Sequence, residues 1–294
     1  MDTVLLLLFC LSIGVLGLPN KFGSGRVMGG TQAVAGEFPY VVSISRVDDG
    51  QHFCGGFIYS PKWVVTAASC VYGLYPSQLK VTAADLSLNN VDPGEQWVSV
   101  FSIIIYDGYN SAFQTNDIAL IELATSITFG PYAALIKYEE VDESISLGTF
   151  MGWGAAQTDG LPSMKLRKTS LTITADCLAH YTADEFNRNY MICAGSASSS
   201  PCAYDEGSPL VQKISNEDVV VGIMSKNRGC ETNGPPSIFT RLSAYYAWFQ
   251  ANAGLQPIIP TTVTVSTTTL KPTAPTAPCI NCVTASYMQE NPYE

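Results

Sequence analysis

Cys202-Ala203-Tyr204-Asp205-Glu206-Gly207-Ser208-Pro209-Leu210 is the stretch on which the reading of this chain turns. It sets two carboxylates side by side, Asp205 and Glu206, in a turn-rich loop that starts at a cysteine and ends in an apolar run. A carboxylate at Glu206 cannot be activated as a nucleophile by a neighbouring base in the way a hydroxyl can. What the pair is for depends on the residues around it.

The chain has 294 residues and a formal net charge of −10, with only two histidines, His52 and His180. That length holds one large all-β unit or two modest domains. No Lys/Arg cluster offers a footprint for nucleic acid or an anionic membrane, so the acidity reads as a solvated surface. Residues 1–17 read as a secretory signal peptide: the apolar run 4–11 is too short to span a bilayer, and Val15 and Gly17 place small residues before a cut at Leu18. No later run has the length of a transmembrane helix, and the polar residues 289–294 lack the apolar tail of a lipid-anchor signal. The product is expected to be secreted and extracellular. Cys10 leaves with the signal, and the eight cysteines that remain are even in number, as disulfides in an oxidising compartment require. Cys279-Ile280-Asn281-Cys282 has zinc-like spacing, but without a second ligand pair or a nearby histidine it does not read as a metal site. No cofactor or metal is expected.

From residue 27 to 242 short β-rich runs alternate with clusters of Gly, Pro, Asn and Asp, among them 41–45, 63–67, 96–106, 117–123, 149–152, 166–173, 219–224 and 237–241. Many strands at this spacing predict a sandwich or barrel. Residues 244–251 read as one closing helix, stopped near Gly254. Beyond it, 255–294 form a Thr/Pro-rich tail that reads as a linker, open to O-glycosylation, with the CxxC pair near its end.

An ordered set of motifs resembles the trypsin/chymotrypsin (S1) family, particularly arthropod digestive trypsins. The matches are Arg26-Val27-Met28-Gly29-Gly30, Gly36-Glu37-Phe38-Pro39-Tyr40, His52-Phe53-Cys54-Gly55-Gly56, Trp63-Val64-Val65-Thr66-Ala67-Ala68-Ser69-Cys70, Asn116-Asp117-Ile118-Ala119-Leu120, Gly152-Trp153-Gly154 and Met191-Ile192-Cys193-Ala194-Gly195. They cover residues 26–254 in family order. The resemblance implies an all-β fold of two perpendicular six-stranded antiparallel β-barrels with a C-terminal helix, occupying 27–254 behind an activation propeptide at 18–26. It also implies the pairs Cys54–Cys70, Cys177–Cys193 and Cys202–Cys230. Cys279 and Cys282 are left as a local pair or as links between chains.

The family's mechanism needs a serine hydroxyl, a histidine that takes its proton and an aspartate that orients the imidazole. By resemblance Asp117 stands at the aspartate position, Ser69 at the histidine position and Glu206 at the serine position. Tyr204 replaces the glycine whose backbone N–H helps to hold the oxyanion. His52 matches a family histidine on the strand leading to the first disulfide, and His180 follows Cys177, so neither is expected to act as the base. A carboxylate about 4 Å from a developing oxyanion repels it by roughly 4 kcal/mol at an effective dielectric near 20, about a thousandfold in rate. Protonating Glu206 would lift that repulsion without supplying a nucleophile.

The specificity pocket also departs from the family. Ser200 stands where trypsins carry a basal aspartate, Ser225-Lys226-Asn227 replaces Ser-Trp-Gly, and Ser237 adds bulk at a pocket glycine. The activation residues are retained: cleavage after Arg26 would free the amino terminus of Val27 to pair with Asp205. The expectation is a catalytically inactive homologue that binds proteins, as cascade cofactor, decoy for protease inhibitors or matrix component, after cleavage by an activating protease. The alternatives are an endopeptidase of weak or unconventional activity, and, with little support, acid–base hydrolysis by Asp117 and Glu206 as paired carboxylates.

Overall fold

A computed structural model describes residues 30–254, except 140–145, 156, 175, 197–198 and 231–233. The expected signal peptide, Arg26, Val27 and the tail with Cys279 and Cys282 lie outside the described residues.

Fourteen strands are described: β1 (Thr31–Gln32), β2 (Val41–Arg46), β3 (His52–Ser60), β4 (Trp63–Thr66), β5 (Leu79–Ala83), β6 (Gln96–Ile105), β7 (Ala119–Leu123), β8 (Lys137–Tyr138), β9 (Leu147–Gly152), β10 (Arg167–Ile173), β11 (Met191–Gly195), β12 (Pro209–Ile214), β13 (Glu217–Lys226) and β14 (Ser237–Arg241). The first barrel closes in the order β2-β3-β4-β7-β6-β5, every pair antiparallel. The second runs β10-β11-β14-β13-β12-β9 and is closed by β9 against β10. Two short strands attach to it: β1 on β10, and β8 parallel to β13. Two closed six-stranded antiparallel barrels are therefore present, as expected.

Period-two alternation sorts the apolar residues. On β3 and β4, Ile58 and Val64 enter the first barrel's core while Phe57, Tyr59 and Val65 face away from it. Those outward residues meet Met151, Trp153, Val211 and Ile223 of the second barrel. Phe150, Leu171, Ile192, Leu210 and Phe239 fill the second barrel's interior. Strands such as β2, β3, β11 and β14 are thus buried on both faces and read as short apolar runs, whereas β6 and β10 keep an exposed face.

The closing helix, α2 (Tyr246–Ala253), starts two residues later than the sequence predicts, because Leu242–Tyr245 winds as a 3-10 turn. Gly254, at φ +74°, ends it in a conformation that costs glycine little. Phe249 is fully buried, its ring stacked 5.4 Å from that of Tyr59, and its burial stabilises the docked helix by about 2 kcal/mol. Tyr59 also donates to the Gly254 carbonyl at 2.7 Å. No helix among the described residues is long and apolar enough to cross a membrane. All three implied disulfides, Cys54–Cys70, Cys177–Cys193 and Cys202–Cys230, are formed.

Candidate functional site

Asp117 sits just before β7, between the barrels, and is fully buried. Burial raises its pKa, and the donors around it oppose that rise. Ser69 lies on the one-turn helix α1 (Ala68–Val71) and donates to Asp117 twice, from its backbone N–H at 2.7 Å and its hydroxyl at 2.9 Å. Ser225, near the end of β13, donates its hydroxyl to the same carboxylate at 2.7 Å. The aspartate is thus fully occupied, with the Ser69 hydroxyl taking the donor role that an imidazole has in a catalytic triad.

The loop from Cys202 to Ser208 is stitched into both barrels. Gly55 of the first barrel donates to the Glu206 carbonyl at 2.8 Å, and Gly207 donates to the Met224 carbonyl of the second at 2.8 Å. Asp205 is fully buried and accepts from Gly154 N at 2.7 Å and Cys202 N at 3.0 Å. A Cβ on Gly154 would fall 1.9 Å from the Asp205 carboxylate and one on Gly152 2.1 Å from it, which is why glycines flank Trp153. Burial, more than these two donors can offset, raises the Asp205 pKa to about 7, and Glu206 adds to the rise. Among the described residues no cation pairs with it.

Tyr204 holds φ at +77°, a left-handed conformation that is uncommon for a side chain of this kind. The backbone keeps the form of the glycine that resemblance places there, and its N–H still points at the site. What that N–H meets is the Glu206 carboxylate, at 2.9 Å to Oε2. Glu206's own backbone N–H also donates to its carboxylate. In the serine-protease mechanism the N–H groups of the nucleophile and of the residue two before it bind the substrate oxyanion. Here both are engaged by a side-chain anion of the same loop. Burial raises Glu206 to about 7, its two backbone donors work against the rise, and the charge of Asp117 adds to it.

His52 does not contact the Glu206 carboxylate. It is buried at the start of β3, with Nδ1 at 2.8 Å from the Ser43 hydroxyl and Nε2 at 3.1 Å from the Tyr204 carbonyl. Burial lowers its pKa to about 4, so it is neutral near pH 7 and braces the loop from beneath. His180 is exposed, and its carbonyl accepts from Arg228 at 2.8 Å.

Of the residues that resemblance assigns to the specificity pocket, Asn227 and Ser200 meet at the Pro201 carbonyl. The Asn227 side-chain amide donates to the Pro201 carbonyl at 2.8 Å, stapling opposite walls, and the hydroxyl of Ser200 donates to the same carbonyl at 3.0 Å. Ser237 is buried on β14 with no hydrogen-bond partner for its hydroxyl. The Lys226 ammonium donates to the Phe113 carbonyl, tying the second barrel to a loop of the first. Burial lowers its pKa, against the pull of Glu185 and Asp117.

One group escaped the sequence reading. Asp85, Asp92 and Glu95 bring carboxylate oxygens within 4.8 Å of one another, all partly buried. They span eleven residues without a recognisable ligand pattern, and only the loop's folding brings them together. Burial, then Glu95 and Asp92, raise Asp85 to about 7. Two of the three are already engaged by the loop backbone: Asp92 accepts from the N–H groups of Leu86 and Ser87 at 2.8 and 2.6 Å, and Glu95 accepts from that of Asp92 at 2.9 Å.

Paired six-stranded barrels, with the Asp117, Asp205 and Glu206 carboxylates brought together where they meet, define a protein of the trypsin-like class. The Trypsin family model matches residues 27–249, and the chain belongs to that family. It is 33% identical over 237 residues to Trypsin-1 of Astacus astacus, covering 77% of this chain and 100% of that protein. It is 32% identical to chymotrypsin-like elastase family member 1 of Homo sapiens (76% and 91% covered) and 30% identical to Trypsin delta of Drosophila erecta (78% and 89% covered).

Proposed function

We propose that this chain is a secreted trypsin-family homologue without peptidase activity, acting through protein binding. The observation that carries the reading is the Glu206 carboxylate seated on the Tyr204 N–H at 2.9 Å. The residue at the nucleophile position has become an internal occupant of the oxyanion site. Ser69 offers Asp117 a hydroxyl that cannot shuttle a proton near pH 7, and the pocket walls are joined by Asn227. Family membership does not argue otherwise, since fold and site are separate matters. Three disulfides and the signal-like residues 1–17 support an extracellular location. Cleavage after Arg26 would place the Val27 ammonium on Asp205, and partners would be proteases, inhibitors or matrix proteins.

The test is to cleave the purified chain after Arg26 and incubate it with a broad peptide library and a serine-directed phosphonylating probe, beside an active trypsin. No labelling and no new peptide termini are expected. Turnover that disappears in Glu206→Ala would overturn the reading and make Glu206 a catalytic group.

A further inference from the structure

Among the described residues the two flanks of the cleft differ: one is crossed by side-chain ties and the other holds a cavity. On the second-barrel flank Lys226 is tied to the Phe113 carbonyl, Asn227 to that of Pro201, and Ser237 fills space beneath. On the first-barrel flank lies a cavity of about 350 Å³, lined in part by Phe53, Tyr72, Leu74, Ser69 and Glu206. Every lining residue except Glu206 comes from the first barrel or its loops, and Lys226, Asn227 and Ser237 take no part in it. A polypeptide threaded through the cleft needs both flanks. A polypeptide whose chain begins at Glu206 needs only the one that holds the cavity.

We propose that this cavity takes the free amino terminus of a polypeptide, with its α-ammonium on the Glu206 carboxylate and its first side chains against Phe53, Tyr72 and Leu74. The proposal rests on the reading of Glu206 as a binding rather than a catalytic residue. Charge complementarity supports it. Among the described residues no cation lies within ion-pair distance of Glu206, and Asp117 adds a second buried carboxylate behind Ser69. Arg46 also lines the cavity, but its guanidinium sits 4.9 Å over the Phe53 ring. An ammonium brings three donors and a full positive charge, whereas the two backbone N–H groups already on Glu206 bring only dipoles. Burial and the neighbouring charge hold the Glu206 carboxyl up at about 7, so an incoming cation stabilises the anion where the protein by itself does not. The cavity volume suits a chain end, and its mixed lining resembles other small-ligand sites. A lysine side chain carries the same charge but leaves the backbone on both sides to be housed, and the Lys226 and Asn227 ties cross one of those sides.

The experiment uses the full-length chain and two pools of random hexapeptides labelled with fluorescein at the C-terminus, one with free and one with acetylated amino termini. Binding is read by fluorescence anisotropy, and peptide integrity by mass spectrometry. The free pool is expected to bind at least tenfold more tightly, and Glu206→Gln, which keeps the shape of the side chain, to reduce it to the level of the acetylated pool. Equal binding of the two pools by the unaltered chain overturns the proposal, whether or not the variant folds. So does a preference that persists in Glu206→Gln, or an acetylated lysine-containing peptide competing as well as a free amino terminus. Peptide cleavage lost in Glu206→Gln would instead overturn the binding reading on which the proposal rests.

Discussion

Glu206 is held in a place that disfavours its charge. Its carboxyl is raised from 4.5 to about 7, chiefly by burial, with Asp117 adding to the rise and two backbone N–H groups opposing it. A carboxyl with a raised pKa binds more protons in the folded than in the unfolded chain between those values. Its contribution to stability therefore falls as pH rises from about 4.5 to 7 and is level above that. Asp205, also raised to about 7, acts in the same direction, whereas His52, lowered to about 4, adds stability as pH rises from about 4 to 6.5. The His52 slope is common to the parent chain and to Glu206→Gln, and the Asp205 slope loses only the part that Glu206 contributes, so the difference between the proteins reports Glu206 and its effect on Asp205. Thermal melts should place the variant about 1 kcal/mol above the parent at pH 8, the full cost of such a shift being reduced by solvent at the cleft, and level with it at pH 4. An advantage at pH 4 equal to that at pH 8 would show that charge is not the cause. Near pH 7 the same group titrates, so any ligand held by its anion should lose affinity as pH falls through 7.

The loop that carries Glu206 is fixed by elements on both sides. Gly207 has φ +81°, and a Cβ there would meet the Thr66 hydroxyl oxygen at 2.3 Å and the Gly55 carbonyl at 2.4 Å. Strands β3 and β4 supply those atoms, so the loop presses against the wall of the first barrel and has nowhere to retreat. Gly207→Ala should cost about 3 kcal/mol, from a left-handed backbone and overpacking together, measurable as a lower denaturation midpoint at unchanged slope. A loss under 0.5 kcal/mol would show that the loop is not clamped. Most of this element was legible beforehand: the cysteine frame, the glycines around Trp153 and the residues at Asp117, Ser69 and Glu206 place the scaffold and its departures. The seat of the Glu206 carboxylate was not, because the sequence names a side chain but not the rotamer that turns it onto the N–H of Tyr204. The Lys226–Phe113 and Asn227–Pro201 ties were equally hidden, since each joins residues at least 26 positions apart, and no pattern in the chain announces such a pair. The trio of Asp85, Asp92 and Glu95 was hidden for another reason: its members are near in sequence, and only the fold of their loop turns the carboxylates together.

At the scale of the whole molecule, the neighbouring carboxylates Asp205 and Glu206 stand in different surroundings. Glu206 lines the open cavity, whereas Asp205 is packed against Gly152 and Gly154 and, among the described residues, has two backbone donors on its carboxylate. A fully buried carboxylate whose partners do not offset its burial is a standing cost to the fold, and an α-ammonium is suited to remove it. Cleavage after Arg26 creates one at Val27. If it enters this site, the Asp205 pKa falls below 7 and the cleaved protein gains stability. The gain should be greatest near pH 7–8: below that Asp205 takes up a proton, and well above it the ammonium, whose pKa is ordinarily about 8, loses one. Calorimetry of cleaved and uncleaved protein at pH 7.5 should show a rise in melting temperature of about 3–6 °C, the size expected of 1–2 kcal/mol in a domain this large. In Asp205→Asn the rise should vanish: the amide oxygen keeps one of the two backbone hydrogen bonds, to Gly154 or to Cys202, and the loss of the other lowers cleaved and uncleaved protein alike. A rise that survives in Asp205→Asn would assign the gain to removal of the leading segment alone. No rise in the parent would mean that the new terminus stays outside and that cleavage is not the means by which this scaffold is ordered.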